Sequence, residues 1–194
     1  MLSAMQIDGD EIELRPLRRE EYYRLGELGC FENERVELLD GVIVKMSPMG
    51  PPHGVLGALL HELFVKSIPP QLMVRGQSPF ALSEISEPEP DLAIVNREKF
   101  FAARRPWDHP SLAYLIVELA ASSLKKDLGL KARLYAQGGV ADYWVVDVEK
   151  LEIIVHREPS GSEFKSVLHF DRYARVQSLL VPEVTVCLED LVGD

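Results

Sequence analysis

The chain has 194 residues, 46% of them apolar, with 21 basic against 31 acidic side chains and a formal net charge of −10. That length and apolar content support one folded core and exclude a disordered or fibrous chain, while the acidic balance argues against indiscriminate nucleic-acid binding. Cys30 and Cys187 stand far apart without paired spacing, which excludes a disulfide framework or a zinc cluster and suits two buried thiols in a reducing cytoplasm. No apolar run approaches the roughly 20 residues of a membrane span, and the N-terminus lacks the basic-then-apolar order of a secretion signal.

Residues 1–14 read as an N-terminal tail and 15–194 as a single domain. A short helix is predicted over 18–28, carrying Tyr22, Leu25 and Leu28 and ending near Gly29. A hairpin follows, because Asp40-Gly41 between the apolar runs 35–39 and 42–46 favours a tight two-residue turn. Pro51 and Pro52 mark the start of a helix running to about Ile68 with an apolar stripe of Leu56, Leu60, Leu63 and Phe64. Pro69-Pro70 stops it, and a strand over 72–76 leads through an acidic, proline-rich stretch, 84–90, into the strand 91–95.

The loop 96–110 mixes basic residues with Phe100, Phe101 and Trp107, and suits either stacking on nucleic-acid bases or a dimer contact. Between 97 and 133 eight basic residues face four acids, a local charge of +4 that leaves −14 on the remainder. An anion-facing surface and ordinary solvated charges both accommodate this island. The nearly continuous apolar run 113–118 is that of a strand covered on both faces. A helix over 123–137 and a strand over 141–147 complete a strand–helix–strand unit with parallel pairing. The segments 151–156, 163–169 and 184–188 read as shorter edge strands.

Lys131 carries the most chemical information. At 100° per residue, with Leu124 at zero, Leu128 falls at about 40°, Tyr135 at about 20° and Lys131 at about −20°. A lysine in the middle of an apolar stripe costs several kcal/mol unless a carboxylate meets it. Glu118, the acid at the end of the most apolar strand, is one candidate partner; Asp127, one turn earlier on the flank of the stripe, is another, as an ordinary i,i+4 pair. Asp91 opens an apolar strand and suits a turn as well as a site. Glu37 sits between Val36 and Leu38, where a salt bridge with Arg35 competes with a functional role. His53 lies in the first turn of its helix, where it serves as a cap or packing residue, or as an auxiliary group against phosphate.

Together Glu37, Asp91, Glu118 and Lys131 supply what phosphodiester hydrolysis needs. Carboxylates from separate elements can hold Mg²⁺ or Mn²⁺ and leave positions for water and phosphate, and a lysine beside them can orient or deprotonate that water or offset charge in the transition state. The absence of histidine and cysteine clusters suits an oxygen-rich site better than zinc.

The segments Glu37-Leu-Leu-Asp40-Gly41, Met46-Ser47-Pro48 with His53, Pro90-Asp91, Glu118 with Ser122-Ser123-Leu124, Asp127, Lys131 and Tyr135, and Gly139-Val140 with Tyr143-Trp144-Val145-Val146-Asp147 resemble the Uma family, grouped with restriction endonucleases in the PD-(D/E)XK nuclease superfamily. The likeness spans roughly residues 15–190 and is most specific from Glu118 to Asp147. It implies an α/β fold with a restriction endonuclease-like core, a mixed β-sheet flanked by helices. It further implies Asp91 and Glu118 as metal ligands, Glu37 as a supporting acid, and His53 and Asp127 as auxiliary candidates. In the superfamily pattern a lysine stands two positions after the second acid; here that position is Ala120, and the resemblance implies that the lysine has moved to the following helix.

The expected activity is Mg²⁺-dependent cleavage of DNA, with a homodimer as the assembly that would cut both strands. Two other classes compete: a non-catalytic or regulatory protein that keeps a nuclease fold for binding or oligomerisation, and a hydrolase of small phosphorylated substrates.

Overall fold

The computed structural model describes residues 4–7, 10–101 and 108–193. Strand β1 (Ala4–Ile7) pairs antiparallel with β2 (Asp10–Glu13), so much of the expected tail is a β-ribbon. Helix α1 (Arg19–Glu27) has no buried residue, and the Leu28 that follows it is 79% exposed. Its attachment is polar instead, since Arg19 Nε and the Tyr23 hydroxyl both donate to the buried carboxylate of Glu87. Cys30, expected to be buried, is exposed just beyond α1; Cys187 is buried.

Strands β3 (Val36–Leu39) and β4 (Val42–Lys45) form the expected hairpin. Its two turn residues, Asp40 and Gly41, have φ of 52° and 78°, the positive pair demanded when the turn twist must match the strands. A Cβ on Gly41 would lie 2.3 Å from Pro16 Cβ, so glycine is required twice over. Helix α2 (Pro51–Ser67) begins with its two prolines and buries Leu56, Leu60 and Phe64. Gly57 lets it lie close on the sheet, because a Cβ there would come 3.0 Å from Leu119 Cδ1.

The remaining elements are β5 (Leu72–Gly76), β6 (Leu92–Asn96), α3 (Arg97–Phe101), β7 (Leu115–Ala120), α4 (Leu124–Lys126), a π-helical turn (Asp127–Lys131), α5 (Ala132–Gln137), β8 (Asp142–Asp147), β9 (Glu152–Ser160), β10 (Glu163–Phe170), β11 (Val176–Gln177), β12 (Thr185–Val186) and α6 (Leu188–Val192). Six strands form one mixed sheet in the order β10-β9-β8-β7-β6-β5. Within it β7 and β8 are parallel, joined by the helical crossover, and every other neighbouring pair is antiparallel.

Alternation along β7 divides the core. Leu115, Val117 and Leu119 pack with α2 on one face, while Ile116 and Ala120 pack with Ala132 and Tyr135 of α5 on the other. Glu118 belongs to this second face by register, so the acid is aimed at the helix that carries Lys131.

Three expectations are corrected. Residues 184–188 do not add an edge strand to the sheet: β12 pairs with β11 in a separate ribbon, and Val184, Val186 and Leu188 cap the core beside α2. Strand β9 is long, with nine residues, and lies inside the sheet between β8 and β10. The stretch after β6 is not all loop, since α3 starts at Arg97 and Phe100 lies 5.0 Å beneath the Arg75 guanidinium; Arg104, Arg105 and Trp107 fall outside the described residues. No helix among the described residues is long and apolar enough to cross a membrane.

Candidate active site

Four elements meet at one cleft, and each brings its residue there for a local reason. The hairpin delivers Glu37, whose strand is buried along its whole length; the peptide N–H of Glu87 donates to the Leu38 carbonyl at 2.7 Å, tying this hairpin to the segment that leads to Asp91. Asp91 stands one residue before β6, and its Oδ2 accepts a 2.8 Å bond from the backbone N–H of Leu119, the residue after Glu118. One peptide unit of β7 therefore sets the spacing between the two acids. From α2, His53 Nε2 reaches the same Asp91 Oδ2 at 3.2 Å. The capping role considered for His53 is not seen; its ring lies against the acid.

Lys131 is 3% exposed, and its Nζ lies 2.9 Å from Glu118 Oε1 and 3.0 Å from Glu37 Oε2. The inward-facing lysine is thus met by a carboxylate on either side. Asp127 is not its close partner, nor does Glu37 pair with Arg35, which lies 3.2 Å from Glu89 instead. Residues 127–131 form a π turn. Asp127 and Lys131 are both buried in it, whereas Leu128 is only half-buried.

Two polar residues complete the arrangement beyond those expected. The Tyr135 hydroxyl donates to Glu118 Oε1 at 2.8 Å, and Lys126 Nζ donates to Glu37 Oε1 at 2.7 Å. Tyr135 was legible only as a member of the apolar stripe. Lys126 falls at about 200° on a uniform wheel, on the solvent side, so regular helical spacing hides it. Glu89 gives a third contact, its backbone N–H lying 3.3 Å from Glu37 Oε2.

Burial opposes ionisation of Glu37, but the ammonium groups of Lys131 and Lys126 outweigh it and hold this carboxyl below its ordinary range. Glu118 differs. Burial pushes it up to about 8, Lys131 counteracts in part, and the neighbouring carboxylates Asp127, Asp91 and Glu37 add to the rise. Burial likewise raises Asp127. Lys131 is held above its usual value, since the attraction of Glu118, Glu37 and Asp127 exceeds the cost of its burial.

The cleft is lined by Asp91, Glu118, Asp127 and Glu89 against Arg35, Lys126 and Lys131. With Glu89 matched by Arg35 and Glu37 drawing on both lysines, Asp91, Glu118 and Asp127 share too little positive charge. A divalent cation would supply what is lacking. Among the described residues no three or more His, Cys, Asp or Glu side chains gather as a ready-made metal cluster. Asp91 and Glu118 are the carboxylates that would hold such an ion, a set that suits one keeping water and taking phosphate oxygens better than a four-ligand zinc site.

Ala120, where a lysine stands in the superfamily pattern, is fully buried on the same face as Glu118. Its methyl packs under α5, and the ammonium comes from that helix instead.

Comparison with known proteins yields no match among curated sequences. Among solved structures, the crystal structure of “a putative nuclease belonging to DUF820” from Anabaena variabilis is 15% identical with a TM-score of 0.69, over 91% of this chain and 97% of that one. That likeness shows the shared fold. Residues 19–189 match the family described as “Uma2: Putative restriction endonuclease”, and the chain belongs to that family.

Proposed function

We propose that the protein is a Mg²⁺- or Mn²⁺-dependent endonuclease that hydrolyses DNA phosphodiester bonds in the cleft between Asp91 and Glu118. The observation that carries this reading is the nearly buried ammonium of Lys131, shared by Glu118 and Glu37 beside an acid-rich cleft. Asp91 and Glu118 would hold the metal, which when bound polarises the phosphoryl oxygen and lowers the pKa of a coordinated water.

The chain's own residues do the positioning. Lys131 and Tyr135 both donate to Glu118 Oε1, which fixes the rotamer of that acid. His53 and the Leu119 N–H do the same for Asp91 Oδ2. An amine that donates to two carboxylates keeps its protons, so Lys131 is suited to offsetting charge as phosphate arrives rather than to removing a proton from water. Glu37 acts at one remove, holding the two lysines in place. Asp127, buried beside Lys131, is an auxiliary acid.

A duplex cut on both strands calls for two such clefts, and a homodimer in the cytoplasm is the assembly that suits this activity. The net charge of −10 favours a second reading, a nuclease-fold protein that acts by binding or oligomerisation without cleavage. Incubation with plasmid, single-stranded DNA, RNA and small phosphodiesters in Mg²⁺ or Mn²⁺ separates the two. Cleavage of DNA that is lost in Asp91→Asn and Lys131→Ala is the expected result. Failure to cleave any of them, together with no heat of Mn²⁺ binding at millimolar concentration, would establish the second reading; wild-type rates in Lys131→Ala would overturn the role of the lysine.

A further inference from the structure

On the far side of the His53–Asp91 pair a second cleft, of about 270 Å³, opens between the start of α2 and the end of β5. It shares His53, Asp91 and Leu119 with the first cleft, so the two are adjoining parts of one groove crossed by that pair. Their chemistry differs. Arg35, Lys126 and Lys131 line the first, whereas no lysine or arginine lines the second, which offers the hydrogen-bonding groups of His61 and Gln77.

Gln77 connects the two halves. Its backbone N–H donates to the Asp91 carbonyl at 3.1 Å, and its side-chain amide lies 2.6 Å from Met49 Sδ, on the wall of the first cleft. A thioether is a weak acceptor, readily exchanged for a stronger one. Gln77 also has φ of 43°, a conformation costly for a residue with a Cβ, which holds the amide at this junction.

Gly54 lies in the second cleft, on the exposed side of α2. Glycine in a helix costs about 1 kcal/mol relative to alanine. Nothing in the fold requires it here, for a Cβ at this position would meet no atom within 4 Å. What the missing side chain provides is clearance.

We propose that this second cleft holds the base and sugar of the nucleotide adjoining the cleaved phosphate, with His61 and Gln77 as its hydrogen-bonding contacts; the proposal rests on the nuclease reading above. The half that carries Lys126, Lys131 and the proposed cation takes phosphate. The other half, without lysine or arginine and bordered by the Asp91 carboxylate, disfavours a second phosphate and suits a nucleoside.

The test uses the full chain and a hydrolysis-resistant phosphorothioate oligonucleotide of roughly 20 nucleotides, fluorescently labelled, in Mg²⁺. Gly54→Leu fills the cleft and should weaken binding about tenfold or more, a change equivalent to about 1.4 kcal/mol. It should not lower the thermal midpoint, and Mn²⁺ affinity by calorimetry should stay at the wild-type value, because a Cβ at residue 54 meets no atom within 4 Å and leaves the His53–Asp91 bond in place. His61→Ala, which removes a contact without adding bulk, should also weaken binding, and it decides the matter if Gly54→Leu fails to fold. Wild-type binding of the oligonucleotide by both variants, in a protein that cleaves DNA, overturns the subsite and leaves the nuclease reading intact. A wild-type protein that binds neither Mn²⁺ nor the oligonucleotide overturns both.

Discussion

Lys131 Nζ and Glu118 Oε1 stand 2.9 Å apart, joining β7 to the helical crossover that leads on to β8, and both residues are 3% exposed. Neither charge has access to much water, so each depends on the other. Removing one member of a buried pair strands its partner at a cost of about 3–5 kcal/mol, more than the pair itself contributes. Lys131→Met should therefore lose about that much in urea denaturation. Adding Glu118→Gln should restore part of it, with a coupling of about 0.5–3 kcal/mol; Glu37 retains Lys126 in the double variant. Strictly additive losses would show that the two side chains do not share a charge.

The hairpin that delivers Glu37 depends on Gly41. Alanine there would need a positive φ and would place its Cβ 2.3 Å from Pro16. Gly41→Ala should cost about 1–3 kcal/mol, whereas Asp40→Asn, which tolerates the same backbone, should cost far less. Equal midpoints for the two variants in thermal unfolding would remove the steric account of this turn.

How much of this was legible in the sequence depended on whether the local period was regular. The Asp40-Gly41 hairpin, α2 from Pro51 and β5 were readable because their signals are local and lie within a few residues. Glu118 and Lys131 were readable as partners because a lysine among apolar positions demands an acid. The wheel says less around Asp127: uniform spacing puts Asp127 on the flank and Lys126 on the solvent side, whereas Asp127 is buried and Lys126 Nζ bonds Glu37 Oε1. Glu37's partners were also beyond reach, since the register between a separate hairpin and this helix is set by tertiary packing. Residues 184–188 read as an edge strand of the main sheet because a strand as short as β12 carries too little alternation to show which sheet it joins.

Helix α1 tests how far polar contacts hold an element in place beside the ring contacts of Tyr22 with Phe31 and Tyr23 with His109. None of its residues is buried, yet Arg19 and Tyr23 both donate to Glu87, which is 1% exposed. Glu87→Gln keeps an acceptor for the tyrosine but removes the charge that matches Arg19, an expected loss of about 1–3 kcal/mol. Amide exchange should accelerate over 19–27 before it does in the six-stranded sheet. Unchanged protection in α1 would mean that its attachment lies elsewhere.

His156 gives stability a pH dependence whose sign can be worked out. The ring is 5% exposed in β9, packed between Tyr143 and Phe164 at centroid distances of 5.2 and 5.5 Å, and its Nδ1 is buried without a hydrogen-bond partner. Burial lowers its pKa, and the backbone contacts around it only partly oppose this. An unfolded chain takes up the proton near the ordinary value of about 6.5, while the folded chain resists until lower pH. The unfolded state thus binds more protons in this window, and the stabilising contribution, complete above about 6.5, is lost as pH falls through the folded value. On acidification from neutral pH towards 5 this ring acts to lower the thermal midpoint, whereas Glu118 and Asp127, held above their ordinary range, act the other way; His156→Phe, which keeps a ring but cannot titrate, should therefore lose less, or gain more, than the wild type over the same interval. The buried carboxyls Glu118 and Asp127 titrate in both proteins, so the difference between the two pH profiles isolates the imidazole. Parallel profiles would assign the acid sensitivity to other groups.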